Sequence, residues 1–187
     1  MTTSTGSARG LSDAELADIY RDLHANPELS HQETRTANIV ASKLREWGYV
    51  VTTDIGSTGV VGVLDNGPGP TALLRADMDG LPLLEKTGLD YASTARATDR
   101  LGNDVPIMHA CGHDVHVTCM LGAASILATE RESFSGRLMV LFQPAEEVGS
   151  GAQGMVEDGL FDRVGKPDVV LGQHVSPMPA GMIAMHA

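Results

Sequence analysis

Three observations predict a layered α/β fold for this 187-residue chain. Two stretches with helical apolar stripes lead into short apolar runs separated by turn residues. A later helix, Asp114–Ala128, is apolar on nearly all sides and so belongs in an interior. The run Leu138–Phe142 shows no polar alternation, as expected of a strand covered on both faces. Strands alternating with helices around such a strand give helices packed on a central sheet. The length suits one domain with a sizeable core.

Taken in order, Ser12–Ala25 reads as a helix, with Ser12 placed to cap it and Glu15 at the capping-box position. Its stripe is Leu16, Ile19, Tyr20 and Leu23, and Asn26-Pro27 ends it. A second helix runs from about Gln32 to Trp47, with Gly48 as its stop. Strands follow at Tyr49–Thr53, Gly59–Leu64 and Thr71–Ala76, the last two separated by the turn Asn66-Gly67-Pro68-Gly69-Pro70. Leu84–Asp104 is polar and reads as an irregular surface excursion. After Leu138–Phe142 come a short helix, Ala152–Asp158, and a short buried strand, Val169–Leu171. The sequence has no repeat and no low-complexity segment.

Hydrophobic residues make up 42% and charged residues 20% of the chain, which is ordinary for a globular protein. Aromatics are only 4%, so the core must be aliphatic and filled with methionine. A formal net charge of −11, with no basic cluster, argues against a nucleic-acid partner. No apolar run approaches the roughly 20 residues of a membrane span. Met1–Gly10 has no apolar signal core, and Cys111 and Cys119 on one helix would lie about 12 Å apart along its axis, too far for a disulfide. A reducing cytoplasmic setting is the expectation.

Chemistry concentrates in Met108-His109-Ala110-Cys111-Gly112-His113-Asp114-Val115-His116, which holds three histidines, one thiol and one carboxylate. Cys111 and His113, two apart on a turn entering a helix, can aim at one point as ligands for zinc or a similar metal. The plain alternative is a buried free cysteine beside a helix-capping His-Asp pair. His109 and His116 read as supporting or structural, and Cys119 as a small core residue. Glu146-Glu147 follows the apolar strand and Pro144; adjacent carboxylates there repel unless a cation or proton holds them. One could ligate while the other acts as general base on the attacking water, the plain alternative being a solvated loop. Asp77 and Asp79 could ligate a metal or orient a ligating histidine, and His174 stands alone. Gly149-Ser150-Gly151 is a weak candidate anion cradle. Four of these groups, Asp77 with Asp79, Cys111 with His113, Glu146 with Glu147, and His174, fall at strand ends or a helix start, where α/β folds gather ligands.

With these residues placed, the sequence resembles the di-metal amidohydrolases of the hippurate hydrolase, N-acyl-amino-acid and indole-acetyl-amino-acid hydrolase type. These belong to the aminoacylase/carboxypeptidase peptidase superfamily. The stretches that carry the resemblance are Arg21–Ser30, Arg75–Pro82, Met108–His116, Phe142–Glu147 and Gly172-Gln173-His174-Val175. The resemblance implies hydrolysis of the amide between an acyl group and an amino acid, with two divalent ions (zinc, manganese or cobalt) as cofactor. Cys111 would bridge the ions, with His113, Glu147 and His174 as further ligands. Glu146 would be the general base that later protonates the leaving amine. Asp79 would support the ligands, and His24 with the Pro27-Glu28-Leu29 turn would be structural. Small departures, Gly80 for alanine and Val148 and Ser150 for glycine, touch no ligand.

Members of the family are longer. They insert a lid or dimerisation domain after the His174 stretch and then supply one more ligand histidine. Residues 1–187 are therefore expected to be the N-terminal part of a catalytic domain, incomplete or inactive as a hydrolase by themselves, and the longer relatives to oligomerise through the lid. His186 matches no family position. A non-catalytic remnant or interaction module keeping the fold is the rival expectation. A closed structural zinc knuckle is disfavoured by the scattered, carboxylate-rich donors.

Overall fold

The computed structural model describes residues 10–184; Met1–Arg9 and His186 lie outside the described residues. The first helix, α1 (Asp13–Ala25), starts on a complete capping box: Glu15 N–H donates to Ser12 Oγ, and Ser12 N–H donates to the Glu15 carboxylate. Helix α2 (Thr34–Glu46) begins two residues after Gln32. Glu28 caps it from outside, accepting the N–H groups of Arg35 and Thr36, both at 2.8 Å, so the Pro27-Glu28-Leu29 turn is structural.

Strands β1 (Val50–Ile55), β2 (Gly59–Asn66) and β3 (Thr71–Asp77) follow. The excursion contains a small hairpin, β4 (Arg96–Thr98) with β5 (Asp104–Pro106), whose three-residue strands are too short for a period to be read. Then come α3 (His113–Thr129), β6 (Gly136–Gln143), α4 (Gly151–Glu157), α5 (Leu160–Val164) and β7 (Val169–Gly172). The main sheet has the order β1-β2-β6-β3-β7. β2 is antiparallel to β1 and β6, whereas β3 runs parallel to both β6 and β7.

The two-residue period of the strands sorts the core into two layers. Val60, Val140 and Phe142 face one side, where Leu23, Leu44, Val117 and Leu121 of α1–α3 pack. Val61, Met139 and Leu141 face the other, under Met155 of α4 and Leu160 and Val164 of α5. β6 is buried along nearly its whole length, as its unbroken apolar run requires. Gly62 lets α2 lie close on β2, since a Cβ there would sit 2.9 Å from Leu44 Cδ1 and push that side chain aside.

Two sequence expectations fail at the sheet edge. Val169–Leu171 does form a strand, but Val169, Val170 and Leu171 are 45%, 60% and 54% exposed rather than buried. β7 pairs only with β3, and no described helix covers it. Cys119 is likewise exposed rather than a core residue, because its side of α3 turns toward this uncovered edge, beside Leu171 and Gly172. Among the described residues no helix is long and apolar enough to cross a membrane.

Candidate metal centre

Because β3, β6 and β7 are parallel, their carboxyl ends lie on one edge of the sheet. Asp77 ends β3 with Asp79 just beyond it, Glu146 and Glu147 follow β6, and His174 follows β7. Helix α3 starts at the same edge through Gly112, whose left-handed conformation (φ 83°) suits glycine and turns the chain sharply between Cys111 and His113.

The side chains converge. Cys111 Sγ lies 3.3 Å from His174 Nε2. His113 Nε2 is 3.8 Å from Glu146 Oε2, 3.9 Å from Glu147 Oε1 and 3.6 Å from Asp77 Oδ1. Donor atoms of Cys111, His113 and His174 all lie within 4.8 Å of one another, as do those of His113, Glu146 and Glu147. A third such trio, Asp77, His113 and His116, shares the same His113.

Hydrogen bonds decide which nitrogens are free. His113 donates Nδ1–H to the Asp79 backbone carbonyl at 2.8 Å, which leaves its buried Nε2 without a partner. His174 donates Nδ1–H to the Val175 carbonyl at 2.6 Å, so its Nε2 lone pair faces Cys111. Both tautomers are those of a metal-ligating imidazole. His116 differs: Nδ1–H donates to Asp77, while Nε2 accepts Val175 N–H at 3.0 Å. Both nitrogens are used, so His116 is structural, and it pins the segment that carries His174. His109 is buried with an unpartnered Nδ1, and burial pulls it down to about 4.

The cluster is short of positive charge. Burial, then the carboxylates of Glu147 and Glu146, push the Cys111 thiol up to about 11. Glu147 is raised as well, chiefly by burial, and its Oε1 has no partner. His113 is raised despite burial, through its bond to Asp79 and the charge of Asp77. Asp77 and Asp79 are lowered against burial by their bonds to His116 and His113 respectively. Arg75 Nη1 stands 3.1 Å from Asp77 Oδ2 but is not aligned to donate, so that oxygen is unbonded. A thiol, two imidazoles and clustered carboxylates with orphaned buried atoms form a donor set that a divalent cation fits, because its charge reverses each unfavourable shift.

Two supports were not visible in the sequence. Ser30 donates to Asp79 Oδ2 at 2.7 Å, and that same oxygen accepts Glu147 N–H at 3.0 Å. Buried Glu33 accepts Ala145 N–H at 2.8 Å. Ser30 and Glu33 belong to the polar run that leads into α2, and no local pattern marks them out. In Gly149-Ser150-Gly151, Gly151 has a steric reason to be glycine, because a Cβ there would lie 1.6 Å from the Pro144 carbonyl oxygen. Beside Glu147 opens a cavity of about 330 Å³, walled by Leu29, Leu81, Pro82, Leu101 and Val148.

An α/β domain with thiolate, imidazole and carboxylate donors at the ends of its parallel strands has the makings of a metallohydrolase. Residues 73–186 match the profile of peptidase family M20/M25/M40, and the chain belongs to that family. It is 48% identical over 164 residues to a hippurate hydrolase of Campylobacter jejuni, covering 87% of this chain and 40% of that protein. It is 42% identical over 166 residues to an N-acetyl-L-cysteine deacetylase of Bacillus subtilis, covering 88% of this chain and 37% of that protein. The crystal structure of Bacillus subtilis YXEP protein, a dinuclear metal-binding peptidase of the M20 family, superposes with a TM-score of 0.76 at 34% identity. That superposition covers 88% of this chain and 43% of the YXEP chain. The chain thus spans about 40% of the length of the relatives it matches.

Proposed function

We propose that this chain carries most of the donor set of a two-metal amidohydrolase that cleaves the amide of N-acyl amino acids, within the N-terminal part of its catalytic domain. The observation that carries the reading is the buried, unpartnered Nε2 of His113 between two adjacent carboxylates, beside the Cys111–His174 pair. Cys111, His113, Glu147 and His174 would hold the ions, and zinc, manganese or cobalt suits such donors. When bound, the ions would supply Lewis acidity at the scissile carbonyl and to the attacking water. Glu146 is the more exposed of the two glutamates, 38% against 16%, and is the better placed to exchange protons with substrate. It takes a proton from the water as the new C–O bond forms and returns it to the nitrogen as the C–N bond breaks. The cavity beside Glu147, which Gln32, Asp99 and Arg100 line together with the apolar side chains, would take the acyl group, in keeping with the hippurate hydrolase and deacetylase among the relatives. A reducing, cytoplasmic setting suits the two free thiols.

The test pairs cobalt titration with hydrolysis of hippurate and acetyl-amino acids. Cobalt should give a thiolate charge-transfer band that disappears in Cys111→Ser. Glu147→Gln should deplete metal, whereas Glu146→Gln should keep the metal and lower any turnover by about 10²–10⁴-fold. Equal metal loss in both variants would refute the division of roles.

A further inference from the structure

We propose that Glu33 is a positioning residue: its buried carboxylate holds Ala145 in a left-handed turn and thereby aims Glu146 and Glu147 into the donor cluster. The hold on the loop stands on geometry alone, while its consequence for metal rests on the function proposed above.

Glu33 is fully buried at the mouth of α2, 112 residues from Ala145 in the chain. Its Oε1 accepts Ala145 N–H at 2.8 Å and His31 N–H at 3.0 Å, and its Oε2 accepts the Thr58 hydroxyl at 2.6 Å. A carboxylate taken wholly out of water is costly unless it is bonded in this way, and no step of the hydrolysis uses it. The residue it grips is itself unusual. Ala145 has φ 50°, a left-handed conformation that strains any residue with a β-carbon and persists only when its surroundings impose it.

The loop closes on that residue. Ala145 carbonyl oxygen accepts the N–H groups of Ser150 at 3.3 Å and Gly151 at 3.1 Å, and Glu146 carbonyl oxygen accepts Gly149 N–H at 2.8 Å. From the far side Asp79 accepts Glu147 N–H at 3.0 Å. Two carboxylates on different elements therefore hold the backbone at 145 and 147, with the paired glutamate side chains between them. Releasing Ala145 would let it relax toward ordinary φ and rotate both glutamates away from His113.

The experiment compares amide hydrogen exchange and cobalt affinity in the full chain. Glu33→Met keeps the side-chain volume and removes the acceptor. In that variant the amides of Gly149, Ser150 and Gly151 should exchange at least tenfold faster while those of α3 are unchanged, and cobalt should bind at least tenfold more weakly. Glu33→Gln should stay near wild type, since its amide oxygen can accept both N–H groups and its nitrogen can donate to Thr58. Adding Ala145→Gly to Glu33→Met should restore most of both losses, because glycine takes the left-handed conformation without help.

Unchanged loop exchange in Glu33→Met would overturn the proposal. So would a loss spread evenly over α2 and the sheet that Ala145→Gly does not restore, since Glu33 would then be merely structural. Faster loop exchange with unchanged cobalt affinity would overturn the positioning role. If Glu33→Met alone fails to fold, a folded and loop-protected Glu33→Met/Ala145→Gly chain supports the proposal, and failure of that chain to fold overturns it. A wild-type chain that takes up no cobalt would sink the metal reading, while exchange would still decide the hold on the loop.

Discussion

Two constellations of histidine and carboxylate flank the start of α3, alike in composition and opposite in what they leave unbonded. In one, His24 gives Nδ1–H to Asp114 at 2.6 Å and Nε2–H to Glu85 at 3.0 Å, tying α1 to α3 and to the excursion. Glu85 also accepts Ser93 N–H at 2.6 Å and the Thr87 hydroxyl. Nothing there is free to take a ligand. In the other, His113 spends one nitrogen on a backbone carbonyl and keeps the second unbonded among carboxylates, while His174 does the same with its first and turns its second to the Cys111 thiol. Residue types cannot separate a structural knot from a metal-binding pocket. An account of donors and acceptors can.

The contrast is sharpest when each knot is cut. His24→Ala leaves Asp114 and Glu85 buried without their cation, and stability should fall by about 3–5 kcal/mol in denaturant unfolding, with cobalt affinity per folded chain unchanged. A drop in cobalt affinity comparable to that of a ligand mutant would erase the distinction. His116→Ala strands the buried Asp77 carboxylate and should cost comparable stability, but it should also lower cobalt affinity by about 10–100-fold, because His116 both orients Asp77 and pins Val175.

A smaller effect comes from pH. Burial works against protonation of His24, but the bonds to Glu85 and Asp114 outweigh it and raise the group above its ordinary 6.5. A raised folded value means stability that is fully present below about pH 6.5 and is lost as pH climbs through the raised value. The Tm difference between wild type and His24→Ala should therefore shrink on the alkaline side; a gap that widens there would reverse the sign. Least of all, Cys119→Ser should move stability by no more than about 0.5 kcal/mol and leave cobalt binding alone, since the thiol is exposed and bonded to nothing.

Much of this was legible in the sequence. Three helices and the strands of the main sheet announced themselves through period and punctuation, and the capping box at Ser12 fixed the first helix to the residue. The convergent donors were readable because parallel strands place their carboxyl ends together, so Asp79, Glu147 and His174 had to meet once the fold was known. Edge burial was not legible: Val169–Leu171 is as apolar as a central strand, and only its neighbours decide how much of it water reaches. The supporting shell was hidden for a similar reason. Glu33 looks like any polar residue before a helix, and its bond to Ala145 spans a separation that no local pattern records.

His174 closes the donor cluster from the exposed end of β7, whereas His113 rises from the buried first turn of α3. Any ion seated between them would be gripped unequally.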